Sequence, residues 1–394
     1  MRIVLMCQAY PPMVSGISVA VHHLAEGLAR RGHAVMVFSA SDRGEAYREV
    51  RGGVELVRLA SRPTPARRGQ RWSWWSRDEI ERHLDEFRPD VLHLHDPVLG
   101  GLVMPSFARD RRLPLVVTAH ALPWYISAQA PDLPGLRALV EAAMWAFASD
   151  LIAQCQAVVA PSNFTAEQVD AHGGPGAVVI SNGVDLARFH PEPDSLDERQ
   201  AVVERCGLDP ARPIILHVGR VDREKNVDDV VRAAAIAMAS TDAQLLVVGD
   251  GNRLHDLEEL ARELGIARQS RFIGFVEPNG DLPTYFRAGS VFVIASELES
   301  EGIVVLEAAA CGLPIVAVRA TSMPELVEEP GCGYLVPPGD VHSMADRIVQ
   351  VLRDPAAQRV LGQAGVAMAR AHSLDLTLER HEALYQSLLE PART

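Results

Sequence analysis

The sequence predicts an α/β protein of two doubly wound domains, each a mostly parallel sheet covered by helices, with a cleft between them. Three observations carry this expectation. Short apolar runs recur along the whole chain, and they are continuous rather than alternating, as in strands buried on both faces. Several are followed by helical patterns, and repeated strand–helix units imply a parallel sheet with helices on both sides. The rhythm breaks once, around residues 186–212, and then restarts.

In the first half the strands read as RIVLMC (2–7), AVMVFSA (34–40), VELVRLA (54–60), VLHLH (91–95), LVVTAH (115–120), AVVAPS (157–162) and AVVIS (177–181). VAVHHLAEGLARRGH (19–33) has helical periodicity and is closed by Gly32. LRALVEAAMWAFASDLIA (136–153) is apolar on most sides and reads as a buried core helix. Prolines at 191, 193, 210 and 213, with the charged run PEPDSLDERQAVVER, read as a linker holding a short helix. The second set of strands is PIILHVGR (213–220), AQLLVVGDG (243–251), SRFIGFV (270–276), VFVIAS (291–296), PIVAVR (314–319) and GYLVPPG (333–339). Residues 341–390 look helical. The expected division is a first domain at 1–188 with 372–394 packing back on it, a linker at 189–212, and a second domain at 213–371.

The 394 residues are ample for two or three buried cores. A net charge of −13 argues against nucleic acid as a partner. Residues 1–188 balance 19 arginines against 19 acids, so the remainder carries the whole excess. The five cysteines are scattered, odd in number and without metal-type spacing. They suggest a reducing, cytosolic setting rather than a disulfide or zinc framework. The start, MRIVLMCQAYPP, is too short for a signal peptide, and no run approaches the ~20 apolar residues of a membrane span. Thirty-seven of the 38 basic residues are Arg and one is Lys, Lys225. A chain that keeps one ammonium marks a position suited to a compact point charge.

The densest chemistry lies in SELESEGIVVLEAAACG (296–312). Glu299 and Glu307 stand eight positions apart with Gly302 between them. The segment reads as a loop entering a helix between two strands, so the first helical amides are free donors and form an anion site. Carboxylates flanking a phosphate-binding helix start suggest a ligand with both phosphate and hydroxyl groups. HVGRVDREKNV (217–227) sets Arg220 and Lys225 on the loop leaving a strand's C-terminal end, where open α/β sheets bind ligands. Two cations there can hold a diphosphate without metal.

Ser15-Gly16 opens the first helix, and glycine there permits close approach of backbone to a ligand. The G-x-G-x-x-G fingerprint is absent, which counts against a dinucleotide cofactor. His120 ends a strand at the sheet's C-terminal edge, with structural and ligand-facing roles equally open. His93 and His95 alternate and share a face, but no third ligand accompanies them and no metal is expected. Residues 58–77, RLASRPTPARRGQRWSWWSR, hold six arginines, no acids and three tryptophans. Arg67, Arg68, Arg71, Trp72, Trp74 and Trp75 therefore suit a membrane interface, sugar stacking or a lid over a charged acceptor. A solvated loop with packed tryptophans is the plainer alternative.

Taken in order, these motifs resemble the retaining GT-B glycosyltransferases of family 4, whose fold is two Rossmann-like domains with an interdomain cleft. ESEGIVVLE is similar to the family's E-x7-E signature, and GRVDREK to its G-R-x-x-x-x-K diphosphate motif. SGIS, the T-x-H ending in His120, PSNFT (161–165) and SNGVD (181–185) fall in family order, so the likeness spans nearly the whole chain. The resemblance implies a nucleotide-diphosphate sugar of the UDP-glucose or GDP-mannose type, bound mainly to the second domain. Glu307 would hold the ribose and Glu299 the sugar hydroxyls. Arg220 and Lys225 would neutralise the diphosphate. Gly249 and the amides of Gly302, Ile303 and Val304, with Gly16, would complete the donor site, and His120 would contact the sugar. His120, Glu299, Arg220 and Lys225 are the expected catalytic group, with no metal or other cofactor. The acceptor would be a hydroxyl of a membrane lipid such as diacylglycerol or a phosphoinositide, met at the inner membrane face by a cytoplasmic enzyme. A soluble small molecule or a polysaccharide fits almost as well. A sugar-nucleotide 2-epimerase and a non-catalytic sensor are the alternatives from other classes. Two departures stand out: Ser15 replaces the usual first glycine, and Glu301 replaces the usual aromatic, which leaves the sugar open.

Overall fold

A computed structural model describes residues 1–13, 15–64, 70–73, 76–96, 103–123, 135–192, 198–277 and 280–390. Arg67, Arg68, Trp74 and Trp75 lie outside the described residues. The chain forms two compact units, Met1–Asn182 with Leu374–Thr394, and Gly183–Ser373.

The first unit contains β1 (Arg2–Met6), β2 (Ala34–Ala40), β3 (Tyr47–Arg51), β4 (Val54–Leu59), β5 (Ser61–Pro63), β6 (Arg71–Ser73), β7 (Val91–Leu94), β8 (Leu115–Thr118), β9 (Ala157–Ala160) and β10 (Val178–Val179). Among the described residues, eight of these form one sheet in the order β10-β9-β8-β7-β1-β2-β4-β3. All neighbours are parallel except β3, which runs antiparallel to β4 at the edge. The sequence reading passed over β3 because YREVR has no continuous apolar run. Its edge position explains the composition, since one side is unpaired and Val50 faces solvent.

The second unit contains β11 (Ile214–Val218), β12 (Gln244–Val248), β13 (Ser270–Phe272), β14 (Val291–Ile294), β15 (Ile315–Val318) and β16 (Gly333–Val336). They form a wholly parallel sheet in the order β13-β12-β11-β14-β15-β16. In both sheets the inner strands are buried on both faces for one reason. Alternate residues enter different cores: Val4 and Met6 of β1 pack on one side, Ile3 and Leu5 on the other. Strand β11 does the same with Leu216 and Ile215. The strand order reverses between β1 and β7 in the first sheet and between β11 and β14 in the second. Such reversals leave a crevice at the strands' C-terminal ends.

The helix Leu374–Leu389 belongs to the first unit. Glu382 accepts from Arg31 Nη1 at 2.8 Å and pairs with His33 Nε2 at 2.7 Å. Leu378 fills the space over Gly27, where a Cβ would meet its methyls at 2.6 Å. Tyr385 is fully buried, and its hydroxyl lies 2.6 Å from His93 Nδ1.

Two expectations change. The helix Leu136–Ile152 is not a core helix: only Trp145, Leu151 and Ile152 are buried, and Leu139 is 68% exposed. Its alanine-rich sequence favours helix by propensity and does not require burial. Arg58, the first arginine of the Arg/Trp stretch, is not on the surface. It is 1% exposed and reaches the Tyr10 carbonyl at 3.3 Å, Ser39 Oγ at 3.0 Å and the Pro11 carbonyl. These oxygens take its two terminal nitrogens in place of water, while Nε has no partner among the described residues. No helix among the described residues is long and apolar enough to cross a membrane.

Replacing Tyr385 by Ala is expected to cost about 3–5 kcal/mol in chemical denaturation. Tyr385→Phe, which loses only the hydroxyl, should cost about 1 kcal/mol. Equal losses would show that the hydrogen bond, not ring packing, holds the terminal helix.

Candidate active site

In the second unit the chain leaves β14, forms a loop, and enters the helix Ile303–Ala310 through Gly302. Gly302 has φ +99°, a left-handed conformation that disfavours any Cβ. Its close neighbour is Met323, whose Cε would lie 2.8 Å from an added Cβ. No side chain caps the helix. Val305 N and Leu306 N both donate to the Gly302 carbonyl, at 2.8 and 3.3 Å. The amides of Gly302, Ile303 and Val304 have no partner among the described residues. Three free donors at the positive end of a helix make an anion cradle.

Lys225 and Glu299 meet beside it. Lys225 Nζ lies 2.6 Å from Glu299 Oε1 and 3.4 Å from Ser296 Oγ, and both charged side chains are largely buried. The pair joins the loops that leave β11 and β14, the neighbours at which the strand order reverses. Arg220 is held by Asp222 and, at 2.9 Å, by Glu224 Oε1. Both cations thus have carboxylate partners within the chain, and an incoming anion must compete for them. Asn226, left-handed at φ +48°, donates from Nδ2 to Glu297 Oε1 at 3.0 Å and fixes the end of the Lys225 turn. Gly249 follows β12, with φ +143°, and a Cβ there would fall 1.7 Å from the Gly219 carbonyl oxygen. Its glycine is therefore required by contact between two loops of the protein itself.

Glu307, in the second turn of the helix, is 5% exposed. Burial pushes its carboxyl up to about 8, with Arg188 pulling the other way. A neutral carboxylic acid both donates and accepts, which suits a pair of vicinal hydroxyls. Glu301 is 1% exposed, so the extra carboxylate is buried rather than at the surface.

Sequence reasoning missed Thr321 and Ser322, on the loop after β15. Thr321 Oγ1 accepts from Glu299 N at 3.3 Å. Ser322 Oγ donates toward the carbonyls of Glu299, at 3.3 Å, and Glu301, at 2.8 Å. They hold the carboxylate loop from a distant part of the chain, and two isolated hydroxyls give no sequence signal of that.

In the first unit Ser15 caps the helix Gly16–Arg30 through reciprocal bonds with Ser18. A Cβ on Gly16 would meet nothing within 4 Å, so the protein itself makes no demand for glycine there. His120 Nε2 lies 2.9 Å from His95 Nδ1. His93 lies between the Tyr385 hydroxyl and Thr118 Oγ1, 2.6 and 2.7 Å away, and its ring stands 4.0 Å from that of His95. Burial lowers all of these imidazoles, His120 to about 3, so they are neutral at pH 7. Arg71 donates to Ser61 Oγ at 2.8 Å and to the Ser61 carbonyl at 3.2 Å across the β5–β6 hairpin. Trp72 is 53% exposed.

Two doubly wound α/β units, one carrying an uncapped helix start beside paired cations and carboxylates, define a class of proteins that handle anionic, hydroxylated ligands. Comparison with known proteins names the family. Residues 14–188 match the model for Glycosyltransferase Family 4, and residues 199–368 that for glycosyl transferases group 1. The chain is 31% identical over 415 residues to a D-inositol 3-phosphate glycosyltransferase of Saccharomonospora viridis, covering 96% of this chain and 90% of that protein. It is 26% identical over 355 residues to an alpha-monoglucosyldiacylglycerol synthase of Streptococcus pneumoniae, covering 89% and 78%. A sucrose-phosphate synthase from Thermosynechococcus elongatus has the same fold, with TM-score 0.81 at 23% identity over 98% of each chain. The chain belongs to the GT-B glycosyltransferases of the family 4 type. Its activity is glycosyl transfer from a nucleotide sugar.

Glu307 gives a test of the site's electrostatics. Its folded value, about 8, lies above the ordinary 4.5, so folding takes up a proton between those pH values. Stability contributed by the neutral form is full below that window and is lost as pH rises through it. Glu307→Gln removes this dependence. The melting temperature of the variant relative to the wild type should therefore climb from pH 5 to pH 8, and a difference independent of pH would contradict the buried neutral carboxyl.

Proposed function

We propose that the chain is a retaining, metal-independent hexosyltransferase, taking a donor of the UDP-glucose or GDP-mannose type and glycosylating a hydroxyl of a lipid acceptor such as diacylglycerol or a phosphoinositide. The observation that carries this reading is the row of amides at Gly302, Ile303 and Val304, without a partner among the described residues, with Lys225 and Glu299 paired alongside. In the reaction the bond between the sugar's anomeric carbon and the phosphate oxygen breaks. Positive charge develops on the sugar and negative charge on the leaving diphosphate. The helix amides, Lys225 and Arg220 stabilise that negative charge where it forms, which is why no divalent ion is required. The acceptor oxygen bonds to the anomeric carbon on the face the diphosphate leaves, and its proton passes to a phosphate oxygen.

Diphosphate binding draws Lys225 from Glu299, and the freed carboxylate takes the sugar hydroxyls. Glu307 takes the ribose. On the first unit, Gly16 and His120 serve the sugar end of the donor. A neutral His120 donates without adding positive charge near the developing cation. The names of the two relatives above support an acceptor based on a lipid or on an inositol phosphate. The exposed Trp72 supports contact with a membrane surface.

Lys225→Ala is expected to lower turnover by roughly 100-fold, the scale of losing one charge-stabilising donor. Release of nucleoside diphosphate from UDP-glucose and GDP-mannose, with and without lipid acceptor, measures it and separates transfer from isomerisation. Near-normal turnover would remove Lys225 from the chemistry. EDTA should leave activity intact, and a loss restored by Mg²⁺ would overturn the metal-free mechanism.

A further inference from the structure

His95 lies just past the end of β7 and is 2% exposed. Its Nδ1 is 2.9 Å from His120 Nε2. Its Nε2 is buried and has no hydrogen-bond partner among the described residues. His120 Nδ1, in turn, takes no partner among the described residues. Both rings are neutral, because burial and the surrounding imidazoles lower His95 well below the usual range and His120 to about 3. A neutral imidazole has one N–H and one bare nitrogen.

Only two proton arrangements satisfy the contact. If His120 Nε2 donated, the His95 proton would sit on Nε2, a buried N–H with no acceptor. Such a donor forfeits about 1–3 kcal/mol of solvation, and orphaned buried N–H groups are the rarer defect. If His95 Nδ1 donates, its single proton is used and His120 must carry its own on Nδ1. The orphan nitrogen of His95 therefore selects the second arrangement.

We propose that His95 is a positioning residue for glycosyl transfer, fixing His120 in the Nδ1–H tautomer and aiming that N–H at an oxygen of the donor sugar. The proposal rests on the reading of His120 as a sugar contact, but its first half concerns the free protein alone. The neighbouring contacts stiffen the arrangement. The His95 ring packs against His93, which is held between Tyr385 and Thr118. His95 N also donates to the Met6 carbonyl at 2.9 Å, fixing the backbone beneath the ring. A histidine whose tautomer is set by a second residue is a common requirement of proton and hydrogen-bond chemistry.

The test is nitrogen NMR of the full-length protein labelled at histidine, with the His120 signals assigned by their loss in His120→Gln. The wild type should show His120 protonated on Nδ1 across pH 6–8. In His95→Leu that preference should disappear, and kcat for UDP-glucose or GDP-mannose should fall at least about 10-fold, a modest part of the loss known for a wrong tautomer. The donor KM should change little. His95→Asn, whose amide nitrogen can occupy the place of Nδ1, should restore both tautomer and turnover. A wild-type His120 protonated on Nε2 would overturn the proposal, as would a His95→Leu protein with unchanged tautomer and kcat. Full turnover in His120→Gln would instead defeat the sugar-contact reading while the tautomer result stood. If His95→Leu fails to fold, the wild-type spectrum and His95→Asn still decide the point.

Discussion

The candidate site depends on the ion pair between Lys225 and Glu299. It joins loops from two neighbouring strands at the point where the strand order reverses. Two largely buried charges are tolerated there because each compensates the other, and removing one would strand its partner. The free amides at Gly302, Ile303 and Val304 need the same loop geometry. Gly302 turns the chain, Thr321 and Ser322 hold the Glu299 segment, and Gly249 lets the next loop press against Gly219. Under the proposed mechanism, the ligand's diphosphate takes over the negative charge that Glu299 supplies in its absence. Binding of the diphosphate and capture of the sugar are then linked by a single side chain.

The first unit solves a different problem. It buries four imidazoles, His93, His95, His120 and His381, in one polar core. Burial lowers every one of them, so the cluster adds hydrogen-bond direction without adding charge. The terminal helix is part of that solution, since Tyr385 and His381 come from it. The last stretch of the chain thus supports the surroundings of His120 as well as closing the first core.

What could be read from the sequence followed interaction range. The strands were legible because burial on both faces writes itself as a local apolar run. The helix start at Gly302 was legible because turn and helix lie within a few residues. Lys225 was visible as the single lysine. The pairing of Lys225 with Glu299 was not, because it closes a long loop between separate strand–helix units. Arg58 misled for a similar reason. Its neighbours in sequence form a basic, aromatic stretch, while its contacts, Tyr10, Pro11 and Ser39, come from earlier strands and loops. The helix Leu136–Ile152 misled in the opposite direction, since apolar composition reports what a helix can bury and not what lies against it.

The sequence by itself determined the class of fold, the order of the strands along the chain, the helix that bears Glu307, and the segments that bear Glu299, Arg220, Lys225 and His120. Those features depend on periodicity and turn chemistry over short spans. The tertiary structure alone decided which charges meet, which carboxyl is held neutral and which nitrogen of His120 is engaged. Each of these depends on burial and on a partner brought from elsewhere in the chain. Solvation and Coulomb interactions act through space, whereas a sequence records only neighbours along the backbone.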